Sequence, residues 1–258
     1  METLIAVVIL TLIEASHQQT NYCDPSLCLA GTTHIACNSS NTLSATCGAG
    51  ATEVLLDSSL QALILDLHNE MRSTIATGNQ NYSSSSFYPQ ANRMATVVWS
   101  NELANIAAAN ARRCIYGHDQ CRNTAAFKAA GQNIAILSYY GMAFTTVDVI
   151  TKMIVAWYAE NAYATPAIIA SYPKAYQGPT IGHFTQIVGD RVTQLGCSLV
   201  VWYTSPWTRQ YLVCNYSITN IIGQPVYKSG PFCSQCTTGC NVNYPGLCPV
   251  NEVINSNP

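Results

Sequence analysis

The sequence predicts an α+β domain stapled by disulfides, and three observations carry that prediction. Gln194–Tyr203 and Thr208–Ser217 are strand-like runs around Ser205-Pro206, and Cys197 and Cys214 lie equally far from the centre of that turn. Residues equidistant from a hairpin turn face each other on adjacent strands, so the sequence specifies a cross-strand disulfide. Three further segments repeat apolar residues at helical spacing. The twelve cysteines all follow a leader-like N-terminus, and an even count in an exported chain reads as six disulfides.

Taken in order, Met1 to Ser16 (METLIAVVILTLIEAS) reads as a signal peptide, although it lacks the usual positive start. Its apolar core, Leu4–Ile13, is too short to span a bilayer, and no later stretch is long enough, so no transmembrane span is expected. Residues 17–55 hold Cys23, Cys28, Cys37 and Cys47 among Gly, Ser, Thr and Asn, and read as an arm of loops that needs staples. The main domain is placed at 56–228 and a cysteine-rich tail at 229–258.

Asp57–Gly78 is the clearest helix, with Leu60, Leu63, Ile64, Leu67, Met71 and Ile75 on one face. Ser58 and Gln61 resemble a capping box, and Gly78 reads as the stop. Asn79–Arg93 has the composition of a loop. A second helix is expected from Ser100 to Arg113, with Leu103, Ile106, Ala107 and Ala111 inward. The cysteine-flanked loop Cys114–Cys121 holds His118. Gly131–Leu137 reads as a strand. Thr145 or Thr146 caps a third helix with Val147, Ile150, Ile154 and Trp157 on one face and Glu160 near its end. Pro166 should prevent its continuation, leaving Ala164–Thr180 irregular. Residues beyond Val250 read as frayed.

Only 9 % of residues are charged, 11 basic against 13 acidic. Loss of Glu2 and Glu14 with the leader brings the balance to zero. A neutral chain has no field to steer it to nucleic acid or anionic lipid. Solubility must come from Ser, Thr, Asn, Gln and Tyr and from glycans; sequons occur at Asn38, Asn81 and Asn215, of which Asn81, in a loop, is the best candidate and Asn215, on the expected hairpin strand, is the least accessible.

Four segments, HNEMR (68–72), GQNIA (131–135), GHFTQIV (182–188) and YLVCNYS (211–217), together resemble the CAP superfamily of cysteine-rich secretory, antigen 5 and pathogenesis-related proteins. The NYCDPSLCLAGTTHIAC run and the YGHDQC loop resemble its insect antigen 5 branch. The resemblance implies an α-β-α sandwich with a small central antiparallel sheet. It also implies the pairs Cys23–Cys37, Cys28–Cys121, Cys47–Cys114 and Cys197–Cys214. In the loop-entropy account the Cys47–Cys114 link contributes about 4 kcal/mol and the hairpin link about 3 kcal/mol. The tail cysteines are assigned the pairs Cys233–Cys240 and Cys236–Cys248, with a zinc knot as the alternative.

The resemblance further implies a central cleft of two histidines and two acids. By motif these are His118, His183 and Glu160, with Gln132 standing where the family carries an acid. No cofactor is required; His118, His183 and Glu160 form a weak site for a divalent ion such as zinc. His68, Asn69 and Arg72 read as a packing element, and His34 as a surface loop residue. No GxSxG or HExxH motif occurs, so the chain reads as non-enzymatic, a metal-dependent hydrolase being the weaker alternative. The expected function is binding of a small hydrophobic ligand such as a sterol, fatty acid or eicosanoid by a secreted, extracellular monomer. The alternative is a salivary or venom-type effector acting on an extracellular protein.

Overall fold

The computed structural model describes residues 20–258, so the signal-peptide reading lies outside the described residues. In chain order the elements are β1 (Thr52–Val54), α1 (Ser58–Ala76), β2 (Asn81–Ser83), β3 (Ser86–Phe87), β4 (Met94–Ala95), β5 (Val98–Trp99) and α2 (Asn101–Ala111). They continue with β6 (Gly131–Tyr139), α3 (Thr146–Tyr158), α4 (Pro166–Ala170), α5 (Gly182–Ile187), β7 (Gln194–Thr204), β8 (Trp207–Tyr216) and β9 (Leu247–Cys248).

The β7–β8 hairpin is the middle of the sheet, whose order is β1-β7-β8-β6 with β5 also beside β7. All neighbours run antiparallel except β5, which is parallel to β7. Cys197 pairs with Cys214 in register, 4.1 Å between Cα atoms, and the two are bonded. Side chains alternate across each strand. Val200, Trp202, Tyr211 and Val213 pack under α2 against Ala107 and Ala111. Leu195, Leu199, Leu212 and Tyr216 face the other way, into the core shared with α1, α3 and α5. Helices therefore cover both faces, an α-β-α sandwich. Gly196 permits the close approach of α2, because a Cβ there would collide with the backbone of Ser100 and Ala104.

The helices α1 to α4 each start on a side-chain cap, whereas α5 follows Ile181, which offers none. Asp57, not Ser58, caps α1 by accepting the Leu60 N–H, while Gln61 bonds back to Leu56 O. Ser100 caps α2, and Thr145 with Asp148 forms a capping box on α3. The buried stripe of α3 is Val149, Ile150, Met153, Ile154 and Trp157. Val147, expected inward, lies about 90° from the centre of that stripe at 100° per residue and is exposed. Pro166, expected only to end a helix, sits at the first turn of α4, where its missing N–H costs nothing.

Several segments read as irregular are structured. Thr52–Val54 of the arm joins the sheet against Leu199–Val201, so the sheet begins inside the segment assigned to the arm. The loop after α1 contains the β2–β3 hairpin. In the tail, β9 runs parallel to β4, and beyond Val250 the chain is held rather than frayed. Glu252 is buried and pairs with Arg93 at 2.6 Å while accepting from the backbone and hydroxyls of Thr237 and Thr238. Burial alone would raise its pKa, but these hydrogen bonds bring it down to about 2. The disulfides are Cys23–Cys37, Cys28–Cys121, Cys47–Cys114, Cys197–Cys214, Cys233–Cys240 and Cys236–Cys248, and none of these cysteines is free.

On α1, three polar residues enter the core. Arg72 is fully buried and donates to four carbonyls, those of Ala95, Ile187, Gly189 and Val192, at 2.7–3.2 Å. Asn69 pairs with both backbone groups of Val97. His68 donates from Nδ1 to Ile64 O and accepts at Nε2 from the Tyr216 hydroxyl, which in turn accepts from Asn133. Burial lowers its pKa from 6.5 to about 4.

Arg72→Met should lower unfolding free energy by about 3–5 kcal/mol, measured by denaturant titration with disulfides intact, because four buried carbonyls lose their donor. Arg72→Lys should recover only part of the loss, since an ammonium cannot span the four oxygens. His68 sets a pH dependence of defined sign. Below pH 6.5 the unfolded chain takes up a proton that the native state refuses, so stability falls between pH 6.5 and 4, by up to about 3 kcal/mol. His68→Gln should flatten that slope; an unchanged slope would assign it to other groups.

Candidate functional site

β6 is an edge strand, and its neighbours Gln132 and Asn133 point to opposite faces. Gln132 is on the α2 side, where its Nε2 donates to Asn215 Oδ1, while Asn215 donates to Leu103 O of α2. Asn133 is on the other side and donates to His183 O and the Tyr216 hydroxyl. The two histidines thus approach the sheet edge from opposite faces.

His118 sits on the Cys114–Cys121 loop, which is tied at both ends, to Cys47 and to Cys28. Its Nδ1 lies 2.8 Å from Gln132 Oε1. Both amide hydrogens of Gln132 are committed, to Asn215 at 2.9 Å and to Asp119 Oδ2 at 2.6 Å. Oε1 must therefore accept, and His118 Nδ1 carries the proton. The outer edge of His118 is exposed, yet partial loss of water around the ring lowers its pKa, opposed by the Gln132 bond.

His183 opens α5. Its Nδ1 meets Glu160 Oε1 at 2.6 Å, and Glu160 Oε2 takes the N–H groups of His183 and Phe184 at 2.9 and 3.1 Å. Glu160 lies on the 3-10 turn Ala159–Ala162 after α3. Trp157 stacks on the imidazole, with ring centroids 5.9 Å apart. Each histidine is thereby fixed through Nδ1, and neither Nε2 has a protein partner among the described residues.

The four motif residues form two pairs, His118–Gln132 and His183–Glu160, joined through adjacent positions of β6. Among the described residues no three of His, Cys, Asp or Glu gather as a metal-holding group. Of the expected set, His118 and His183 each keep a bare Nε2, while Glu160 is committed to His183. Glu160 stands behind His183 with its oxygens spent on Nδ1 and two backbone N–H groups, not beside it as a third ligand.

No motif marks Asp119. It is buried and accepts from Asn110, Gln132 and Arg122, at 2.6–2.8 Å. The signal available was an acid beside His118 with an arginine three residues on, in a chain with few charges. The surface reading of His34 is corrected. His34 is buried, stacked on Tyr22 and bonded to Asn123 O. Asn215 is fully buried by its bonds to Gln132 and Leu103, so a glycan there is incompatible with the fold, whereas Asn38 and Asn81 are exposed.

Residues 65–216 match the CAP family, the cysteine-rich secretory protein family. The chain is 42 % identical over 253 residues to Venom allergen-1 of Aedes albopictus, covering 98 % of this chain and 96 % of that protein. It is 44 % identical over 236 residues to Venom allergen-1 of Aedes aegypti, covering 92 % and 90 %. The solved structure of NaASP2 with Zn2+ superposes with a TM-score of 0.63 at 27 % identity, over 74 % of this chain and 96 % of that one. The chain belongs to the CAP family and to its insect antigen 5-like branch.

Gln132→Glu would set two carboxylates at the Gln132–Asp119 contact. It should destabilise the fold by about 1–3 kcal/mol at neutral pH. The shared proton raises the native pKa of the pair, so the penalty should shrink as pH falls from 8 to 5. The His118 pKa should rise, read by NMR titration of the imidazole.

Proposed function

We propose that the protein is an exported, non-enzymatic binding protein whose central cleft takes the polar end of a small hydrophobic ligand. One observation carries the reading: both histidines are locked with Nδ1 protonated and Nε2 bare, and no hydroxyl or thiol is bonded to either among the described residues. Nucleophilic catalysis needs an oriented Ser or Cys beside its base. Two Nε2 atoms without protein partners are instead free to meet the polar end, hydroxyl or carboxyl, of a sterol, fatty acid or eicosanoid. Ile115 and Tyr116, exposed on the His118 loop, add apolar surface.

The same two atoms fit a weakly held divalent ion such as zinc, with water completing the shell; they do not fit a closed four-ligand structural site. Such an ion would polarise a bound oxygen. Export is supported by six disulfides, by relatives named venom allergens, and by the lack, among the described residues, of a helix long and apolar enough to cross a membrane.

A second reading, docking on an extracellular protein, is favoured by the far end of the hairpin. There Tyr140, Met142, Tyr203 and Trp207 are exposed, and Tyr140 and Trp207 meet edge to face at 6.3 Å. Tyr, Trp and Met are enriched at protein interfaces.

Native mass spectrometry and lipid titration of the disulfide-intact protein test the main reading. A one-to-one lipid complex is expected, weakened about tenfold by His118→Ala or His183→Ala, or about 1.4 kcal/mol. No extractable or titratable lipid across sterols, fatty acids and eicosanoids would sink it. Casein or ester hydrolysis that disappears in His183→Ala would sink the non-enzymatic part.

A further inference from the structure

The path of the sheet ends on β1 and β6, and the two ends differ. β1 is three residues long and carries Glu53, which is paired with Arg112. β6 is nine residues long, keeps one register with β8 throughout, and holds no proline and no charged residue. Sheets ordinarily guard an edge with shortness, charge, proline or a bulge. β6 uses none of these. Residues 131–134 are buried, but Ala135, Ile136 and Leu137 are half-buried and Ser138 is exposed.

The phase of its backbone groups follows from the hairpin disulfide. Cys197 and Cys214 face each other with Cα atoms 4.1 Å apart, the close spacing of a pair that exchanges no backbone hydrogen bonds. The backbone groups of Cys214 therefore turn towards β6, where Asn133 is its partner. Alternation puts the N–H and C=O of Asn133, Ala135 and Leu137 on β8, and those of Ile134, Ile136 and Ser138 on the open side. Ile134 agrees, because its carbonyl accepts from Trp157 Nε1 at 3.2 Å. The outward groups of Ile136 and Ser138 have no partner among the described residues.

One charge lies beside this stretch. Ser138 is in register with Arg209 of β8, and Arg209 with Trp202 of β7. Arg209 is half-buried, with its Nε enclosed and the rest of the side chain part-exposed, and it forms no ion pair among the described residues. β6, β7 and β8 contain no Asp or Glu. A strand added outside β6 would lie about 10 Å from β8, twice the interstrand spacing, with only the small side chain of Ser138 between. An arginine and an acid close that span from its two sides. Tyr140 and Trp207, exposed and edge to face, come next along the sheet. A second copy pairing β6 on β6 would bring no acid to Arg209, since the strands it offers have none.

We propose that residues 136–140 of β6 take an extended, acidic segment of a partner protein as an added strand, with Arg209 meeting its carboxylate over Ser138. This rests on the second reading above and gives that docking its mode and its charge.

Selection from a random peptide library on the disulfide-intact protein, followed by calorimetry, tests this. Enriched peptides should carry an acid and an aromatic or aliphatic residue two positions apart. Replacing that acid by lysine should weaken binding by about tenfold or more. Methylating the alternate backbone nitrogens that face β6 should abolish binding, and methylating the other alternate set should leave it. Arg209→Gln should remove the preference for the acid. Ser138→Pro, which deletes an outward N–H and no ladder bond, should weaken every selected peptide. Peptides that bind but ignore Arg209→Gln or the phase of methylation would overturn the edge as the site while docking on a protein stands. A library with no enriched peptide would sink both. A dimer of the parent that Ser138→Pro dissolves would overturn the proposal in favour of a second copy.

Discussion

The guanidinium of Arg72 is the interaction on which most of the architecture depends. It reaches from the middle of α1 into a dry interior and collects carbonyls from three places: the end of β4, the end of α5 and the turn leading to β7. These segments meet where no strand or helix ladder satisfies their oxygens. A planar fork with five N–H groups does so in one side chain. Asp190, close enough to favour the Arg72 charge, supplies the compensating sign without touching it. The position of α5, and with it His183 at one end and Asp190 and Arg191 at the other, follows from this one buried cation.

A second polar chain connects His183 to α1. Asn133 holds the His183 carbonyl and the Tyr216 hydroxyl, and Tyr216 passes the chain to His68 on α1. On the opposite face Gln132 links His118 to Asp119, and Asp119 to Asn110 and Arg122. A glutamine suits this place, because an amide accepts from the imidazole and donates to the carboxylate without having to take up a proton as an acid would. The acidic group is one hydrogen bond further back, at Asp119.

What could be read in the sequence was mostly local. Symmetry about Ser205-Pro206 gave the hairpin register, and caps and helical spacing gave α1, α2 and α3 nearly to their ends. Features that depend on distant partners were not legible. Thr52–Val54 is a strand only because β7 offers an edge; Glu252 is buried because Arg93 and two threonines converge on it; His34 is buried because Tyr22 stacks on it and Asn123 bonds to it. Val147 failed for a different reason, since a stripe on a short helix can be drawn with either of two neighbouring valines. In the cleft, motif placed His118, Gln132, Glu160 and His183. Which atoms are committed and which are bare depended on side-chain geometry that no motif encodes.

Both disulfides of the tail close within the tail, Cys233 to Cys240 and Cys236 to Cys248. No covalent cross-link fastens it to the sandwich. It is held by the short β4–β9 pairing, by Leu247 fully buried in the main core, by the Arg93–Glu252 contact, and by hydrogen bonds such as Thr96 to Cys248 O, Tyr244 to Asp66 and Arg191 to Asn257 O. Mechanically the tail is a rigid knob on a noncovalent seam. Lifting it off would pull Leu247 out of the core beside Ile75 and Met94, so the seam opens only with the interior it covers, although the four disulfides of the sandwich would stay closed.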